Sequence, residues 1–291
     1  MGAIKYIAHG AALALLALPT AAEAQRATEP LVFTPDGAWA ADYAEDSCAL
    51  RRTFAAGDQS AIFELRQFSP SSALRIMVLS STLTPGRASP RVRFLPDEED
   101  FQPGALLLLG GRDLRGFMFY GSLNGPLSTT PGSDWTNAEQ EAREREIIGF
   151  SVHAMFDREI VLQTGSLLVP MNAMRACLDE LLTHWGLDPE QQYNLSQPAT
   201  LVNAMSWGQA VQESLSAGMV RSGRNEALNI RLMVDADGRP TSCSVQLPTA
   251  HQSFDEAACD ISMRRARFKP ALDAAGNPVA SYHTSFFIVS I

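Results

Sequence analysis

The sequence predicts an α+β protein in which a mixed, β-rich N-terminal domain is followed by a smaller C-terminal domain. Apolar and polar residues alternate in segments 62–68 and 227–234, which indicates strands buried on one face. Apolar residues recur at helical spacing elsewhere, most clearly between Met171 and Trp185. A polar stretch that contains Pro198, residues 191–200, predicts a linker. The predicted domains therefore span residues 30–190 and 201–291.

Residues 1–24 have the layout of a secretory signal peptide. Lys5 supplies the charged start, residues 7–18 are apolar, and small residues lead to an exit at Ala24. The apolar stretch is shorter than the ~20 residues that a membrane-spanning helix needs. We therefore expect cleavage after Ala24, a periplasmic protein, and no spanning helix in the mature chain. Retention in the inner membrane by an uncleaved N-terminus is the alternative.

The composition narrows the classes of partner and chemistry. The chain is acidic, with a formal net charge of −9 and a pI near 5.1. Nucleic acid and anionic membrane surfaces are poor partners for it, because binding them requires a basic face. The sequence contains no nucleophile-elbow, zinc-protease or phosphate-loop motif, so it predicts no catalytic residue and no cofactor. Asp235 and Asp237 fit a hairpin turn better than a calcium loop, whose later ligands are missing.

All four cysteines follow the predicted cleavage site, and an even number favours disulfides in an exported chain. Cys48 lies on an early predicted strand and Cys177 on the apolar face of the last N-terminal helix, so we expect these two to pair. We expect Cys243 to pair with Cys259, which joins a strand to a helix. Two buried thiols are the alternative for the first pair. A zinc site that includes His251 is the alternative for the second, and we predict no metal.

The secondary structure follows from patterning and turn residues. N-terminal strands are predicted at residues 39–54, 62–68, 74–79, 105–109, 147–156 and 159–163, and helices at 137–146 and 171–185. The C-terminal domain is predicted as helix 207–217, strand 227–234, turn 235–238, strand 241–247, helix 253–265 and strand 281–291. Ser253 is the expected cap of that second helix.

The C-terminal third of the chain combines several recognisable motifs. These are the hairpin 233–240, the helix start 254–258, the Arg-rich helix exit 264–271 and the turn 276–279. In this order and with this spacing the segment resembles the TonB C-terminal domain family. The resemblance implies a small antiparallel sheet packed by two helices, which acts as a binding module and not as an enzyme.

The resemblance also implies where a partner would bind. In that family an extended peptide of an outer-membrane receptor adds to a sheet edge and is held by main-chain hydrogen bonds. The last strand is the expected edge. The expected partner-binding residues there are Tyr282, His283, Thr284, Ser285 and Phe286. The basic residues Arg264, Arg265 and Arg267 either assist an acidic partner or stabilise the negative pole of their helix.

Three functions compete at this point. The leading hypothesis is a periplasmic module that binds an extended peptide or a protein partner, with an outer-membrane receptor as one candidate. The second is an energy transducer for outer-membrane transport, retained in the inner membrane. The third is an enzyme housed in the N-terminal domain, whose family the sequence does not indicate. The sequence does not predict an oligomeric state.

Overall fold

The computed structural model describes residues 29–83, 86, 88–97, 99–104, 106–111, 113–127, 137–214 and 226–289. The predicted signal peptide lies outside these residues. The described helices are α1 (Asn137–Glu146), α2 (Leu168–His184), α3 (Pro189–Tyr193), α4 (Ala204–Gln212) and α5 (Gln252–Arg265). Among the described residues, no helix is both long enough and apolar enough to cross a membrane. The fold is mixed α+β and rich in strands, as predicted.

Ten strands in the N-terminal part form one sheet. They are β1 (Leu31–Pro35), β2 (Ala40–Ala44), β3 (Ser47–Ala56), β4 (Gln59–Gln67), β5 (Leu74–Ser80), β6 (Arg91–Leu95), β7 (Leu106–Gly110), β8 (Arg115–Gly121), β9 (Gly149–His153) and β10 (Ile160–Leu162). Their order is β6-β9-β10-β1-β3-β4-β5-β8-β7, with β2 on the first half of β3. Strands β1 and β10 are parallel neighbours, whereas β3, β4, β5 and β8 form an antiparallel series.

Phenylalanine side chains from distant strands meet in the core of this sheet. Phe63 on β4 stacks on Phe150 on β9 with ring centroids 4.9 Å apart, although three strands separate them in the sheet. Phe94 on β6 approaches the same ring at 5.0 Å. The sheet therefore curves back on itself and encloses an apolar core, and removing these rings from water is its main source of stability.

Helix α2 closes one end of this core. Its apolar face is buried through Met171, Met174 and Leu178, at the spacing that the sequence showed. Cys177 on the same face forms a disulfide with Cys48 on β3, and the two Cα atoms are 6.0 Å apart. This is the pairing expected from the sequence.

The C-terminal part contains a three-stranded antiparallel sheet. Its strands are β12 (Glu226–Val234), β13 (Pro240–Leu247) and β17 (Ser281–Val289), in the order β13-β12-β17. Helices α4 and α5 cover one face, and Trp207 and Phe254 are buried there against Ile230 of β12. The Cys243–Cys259 disulfide joins β13 to α5, which is the second expected pairing.

Four short strands complete this part and hold the preceding segment. They are β11 (Thr200–Leu201), β14 (Phe268–Lys269), β15 (Ala271–Leu272) and β16 (Pro278–Val279), paired β11 with β14 and β15 with β16. The main-chain N–H of Ser196 donates to the carbonyl of Leu272 at 2.9 Å. Segment 191–200 thus lies against the C-terminal part, and its first residues belong to α3.

Several predicted boundaries were wrong: the helix predicted at 171–185 begins at Leu168, the strand predicted at 147–156 spans Gly149–His153, and two further cases have identifiable causes. Segment 39–54 is two strands and not one, because a turn at Glu45 and Asp46 separates β2 from β3. The helix predicted from residue 207 begins at Ala204, and the predicted end at residue 217 lies outside the described residues. Its start is fixed by a tertiary contact, since the side-chain amide of Asn203 bonds to the main chain of Arg267 at 3.0 Å.

The predicted cap of α5 was also wrong. Ser253 lies inside the helix, which begins at Gln252. The carboxylate of Asp255 accepts a hydrogen bond from the main-chain N–H of Thr249 at 3.1 Å. This contact anchors the incoming loop to the first turn, and the N-cap position belongs to His251, whose side chain makes no capping hydrogen bond.

Candidate protein-binding edge

Strand β17 is an outer strand of the C-terminal sheet. It pairs with β12 in an unbroken register from Ser281 opposite Val234 to Val289 opposite Glu226. No second strand pairs with it among the described residues. In the same part of the chain, no hydrogen bond from outside the sheet reaches the main chain of residues 282–288. One side of β17 therefore carries main-chain groups that no described residue of the chain pairs with.

The adjacent hairpin determines which main-chain groups of β17 face outward. The N–H of Asp235 donates to the carbonyl of Arg239 at 3.0 Å, so Asp235 directs its main chain toward β13. Successive residues of a strand direct their main-chain groups to opposite edges. Leu232 lies three residues before Asp235 and therefore faces β17, where its partner is His283. His283 accordingly bonds inward, to β12.

The same alternation separates the five predicted edge residues into two groups. Ser285 shares the inward direction of His283. Tyr282, Thr284 and Phe286 direct their N–H and C=O groups outward, away from β12. These three residues form the hydrogen-bonding edge that a further strand could use.

The opposite edge of the sheet, on β13, is protected against strand addition. Pro240 has no N–H to donate, and the register with β12 is interrupted at two places. The side-chain amide of Gln246 is also committed, donating to the carbonyl of Phe68 at 2.7 Å. Strand β17 contains no proline, no glycine and no Asp, Glu, Lys or Arg. It lacks the features that normally prevent addition to an edge.

The residues of β17 whose main-chain groups face outward pack their side chains against the N-terminal part. The Phe286 ring stacks on Tyr120 with centroids 4.2 Å apart and remains 41% exposed. The Thr284 hydroxyl lies 3.0 Å from that of Ser69. The Tyr282 hydroxyl donates to a carbonyl of the β4–β5 loop at 3.3 Å. These contacts hold one face of the strand in place while its main-chain edge stays open.

The inward residues have a structural role. The His283 ring lies 5.1 Å from the ring of Phe268, and its Nε2 atom is 3.0 Å from the hydroxyl of Ser285. Burial lowers the pKa of His283 to about 4, despite a hydrogen bond to the main chain of Ala199. At neutral pH the ring is uncharged, so β17 presents no charged side chain to a partner.

The three predicted arginines lie at the C-terminal end of α5 or directly after it. Arg264, Arg265 and Arg267 are all exposed, and Arg264 approaches Asp260 at 3.8 Å. The next residue, Phe268, contacts His283, so this basic cluster is at the end of the sheet where β17 begins. No described contact joins the three side chains to the main chain of β17. The arginine cluster is therefore near the start of β17 but does not contact its main chain among the described residues.

The second face of the C-terminal sheet was not predicted to be covered. Asn229 on β12 accepts a hydrogen bond from the Tyr120 hydroxyl at 2.8 Å. The guanidinium of Arg231 bonds to Asp46 at 2.6 Å and lies 4.1 Å from the centre of the Trp185 ring. Both polar residues alternate with buried leucines and isoleucines, which is the pattern of a solvent-facing side. The N-terminal sheet covers this side, and the partners that satisfy the polar groups are far away in sequence.

The C-terminal part is a small α+β module, a three-stranded sheet with helices on one face and an unprotected final strand. Residues 220–287 match the family model described as Gram-negative bacterial TonB protein C-terminal. This is the family that the sequence motifs resembled, and it is a non-enzymatic, transport-related domain. The match spans 68 of the 291 residues, and the N-terminal sheet lies outside it. No curated protein and no solved structure matches the chain.

Proposed function

We propose that this chain is a periplasmic, TonB-like binding protein that grips an extended peptide of a partner protein along β17. The observation that carries the proposal is the contrast between the two edges of the C-terminal sheet. Strand β13 is closed by a proline and register breaks, whereas β17 has a regular register and no such protection. An edge of this kind is a template for the addition of another strand, which a partner peptide can supply.

The physical basis of binding is main-chain hydrogen bonding. A peptide that lies beside β17 satisfies the outward groups of Tyr282, Thr284 and Phe286 and gains a backbone partner for each of its own inward groups. The N-terminal part contributes a fixed support, because Tyr120 and Ser69 hold the strand from behind. The strand is therefore ordered before the partner arrives, which lowers the entropic cost of binding.

The partner class follows from the family match and from charge. Segments of outer-membrane receptors that extend into the periplasm are the proposed partners, since the matched family serves outer-membrane transport. The exposed cluster of Arg264, Arg265 and Arg267 favours peptides with acidic residues near one end. On this view residues 30–190 form the supporting domain and residues 201–291 the binding domain, and the signal peptide 1–24 is removed on export.

The experiment that tests this function removes one outward donor. Thr284→Pro deletes an N–H that faces the open edge, where proline is tolerated, and Thr284→Val is the matched control that keeps the N–H but loses the hydroxyl. We expect Thr284→Pro to weaken peptide binding roughly two- to tenfold, the value of one net hydrogen bond, while Thr284→Val binds like wild type. Binding is measured by fluorescence anisotropy with twelve-residue peptides from the periplasmic N-termini of outer-membrane receptors.

A second control separates the edge from the integrity of the fold. Ser285→Pro deletes an N–H that bonds to β12, so this variant should lower the unfolding temperature. Thr284→Pro should leave that temperature close to wild type. If Thr284→Pro is folded and binds every peptide as tightly as Thr284→Val, or if wild type binds none of the peptides, then strand addition at β17 is wrong.

A further inference from the structure

A cavity of about 320 Å³ lies where the N-terminal part meets the beginning of β17. Tyr282 lines it together with Gln192 and Tyr193 of α3. The amide of Gln192 ties α3 to this end of the strand: its Nε2 donates to the Ala280 carbonyl at 3.1 Å, and its Oε1 accepts from the Ser281 hydroxyl at 2.7 Å. The cavity is thus adjacent to the first residue of the open edge.

The charged side chains around the cavity already have partners. Arg175 donates two hydrogen bonds to Glu144, at 2.7 and 3.0 Å. Arg143 donates to Asp97 at 2.9 Å and to the carbonyl of Leu123 at 3.0 Å. Glu144 is 2% exposed, and burial raises its pKa against the opposing effect of Arg175. A charged ligand would have to break one of these pairs, which is costly because it leaves a buried charge unpaired.

The remaining lining combines uncharged hydrogen-bonding groups with an apolar floor. Besides Tyr193 and Tyr282, the uncharged polar side chains are Gln67, Ser71, Ser72, Ser122, Asn124, Gln140 and Gln192. Leu74 and Leu178 form part of the floor and are 2% and 3% exposed. The volume is at the lower end of the roughly 300–1,000 Å³ range of ligand pockets. This mixture suits an amino-acid side chain that has an aliphatic stem and an uncharged polar head, such as glutamine or threonine.

We propose that this cavity is a specificity subsite, which receives an uncharged polar side chain from the part of the bound peptide that continues past Tyr282. The proposal rests on the proposed function, because it requires a peptide on β17. Strand addition alone reads main-chain groups and discriminates poorly between sequences. The cavity supplies the side-chain selection that the open edge lacks.

The test fills the cavity and leaves the edge unchanged. Gln140→Trp places an indole in the lining from helix α1, and Ala138→Trp is the matched control on the same helix, at an exposed position outside the lining. The tightest receptor peptide from the anisotropy assay is then scanned with alanine at each uncharged polar residue. In wild type we expect one position at which alanine weakens binding about tenfold.

We expect strong coupling, in a double-mutant cycle, between Gln140→Trp and the alanine substitution in the peptide. Gln140→Trp should weaken the parent peptide by a similar factor, and the alanine at the sensitive position should then have no further effect. Ala138→Trp should behave like wild type throughout.

Two results would overturn the subsite. One is a Gln140→Trp variant that binds all peptides like wild type, or weakens all of them equally. The other is a neutral glycan, tested as N-acetylglucosamine trimer, that binds wild type, loses affinity in Gln140→Trp and does not compete with the peptide. If either result is obtained while Thr284→Pro still weakens peptide binding, the cavity is not a specificity subsite, but strand addition at β17 remains supported. Peptide binding that is insensitive to Thr284→Pro contradicts the proposed function itself.

Discussion

At the scale of single residues, the hairpin between β12 and β13 depends on one glycine. Gly238 has a φ of +77°, a conformation that side chains rarely adopt. A Cβ atom built on it would lie 2.3 Å from the carbonyl oxygen of Phe268, which is main chain and cannot move aside alone. The N–H of Phe268 also donates to the Gly238 carbonyl at 3.1 Å. The turn therefore positions the chain that leads from α5 toward β17.

Gly238→Ala should destabilise the C-terminal module, and Gly276→Ala provides a matched control. Gly276 has a φ of +84° in a turn of similar form, but no atom lies within 4 Å of a Cβ built there. We expect Gly276→Ala to cost about 1–2 kcal/mol of unfolding free energy from the backbone conformation alone. Gly238→Ala should cost clearly more, because it adds the clash with Phe268. Urea unfolding followed by tryptophan fluorescence measures both, and equal losses would contradict the close approach.

A second feature at residue scale is a buried carboxylate in the N-terminal sheet. Glu64 is 1% exposed and bonds to Arg66 at 3.1 Å and to Arg75 at 2.6 Å. Burial alone would raise its pKa, but the hydrogen bonds and charges of the two arginines outweigh it and lower the pKa to about 2. The stability that this group contributes is present above its ordinary pKa of about 4.5 and is lost as the pH falls toward 2.

At the scale of elements, helix α5 and strand β17 supply complementary properties. The helix carries the exposed cluster of Arg264, Arg265 and Arg267 at its negative pole, in a chain with a net charge of −9. The strand supplies uncharged main-chain donors and acceptors. A partner with an acidic end and an extended segment would use both elements. The arginine cluster would speed its association, and the main chain of β17 would slow its dissociation.

Reversal of the charge on this cluster should slow association with the peptide. We expect the double variant Arg264→Glu/Arg265→Glu to lower the association rate constant about tenfold at low salt, with little change in the dissociation rate, since rim charges act mainly on encounter. The control is Arg91→Glu/Arg145→Glu, which makes the same change of −4 in net charge at two exposed arginines outside the cluster. Stopped-flow anisotropy at two ionic strengths measures the effect, and an equal loss in the control would assign it to net charge alone.

The elements that the sequence predicted well are those whose determinants are local. Helix 137–146 was predicted from glutamate and arginine residues at i,i+4 spacing, of which Glu141 and Arg145 form the expected pair while Arg143 bonds to Asp97. The hairpin at 235–238 was predicted from its Asp-Gly turn. The two cysteine pairs were predicted from the strands and helices on which the cysteines lie. Boundaries failed where distant groups decide them, as with the amide of Asn203 that fixes the start of α4.

Only part of the candidate site could be predicted from the sequence. The final strand could be named from the motifs, but the direction of each N–H depends on the register with β12. The cavity beside Tyr282 could not be foreseen, because its walls come from six separate segments of the chain. The polar residues Asn229 and Arg231 indicated an exposed face, and only the tertiary structure shows what covers it.

At the scale of the whole molecule, the two sheets are joined by contacts that are both apolar and polar. Leu107 and Met118 of the N-terminal sheet pack with Ala227 of β12. The buried Arg231 bonds to Asp46, while its burial lowers its pKa against the attraction of that carboxylate. Since each part is closed by its own disulfide, these contacts act together with the Tyr120–Phe286 and Ser69–Thr284 contacts to hold the two parts in a fixed relation.

Arg231→Glu should uncouple the two parts. The variant places a carboxylate beside Asp46, in a position where the Arg231 side chain is 11% exposed. We expect wild type to unfold in a single calorimetric transition and the variant to unfold in two, with the ratio of calorimetric to van't Hoff enthalpy rising above one. Arg239→Glu, the same charge change on an exposed turn, should keep the single transition. A single transition in both variants would show that the interface tolerates the loss of this ion pair.

The unbroken ladder between β12 and β17 also has a mechanical consequence. Its hydrogen bonds run perpendicular to the strands, as in any antiparallel pair. A force along the axis of β17 therefore loads all nine register positions together in shear, whereas a force at right angles opens them one after another. If a peptide paired with the free side of β17 in the same way, a lengthwise pull would meet far greater resistance than a peeling force, and the direction of traction would determine the lifetime of the complex.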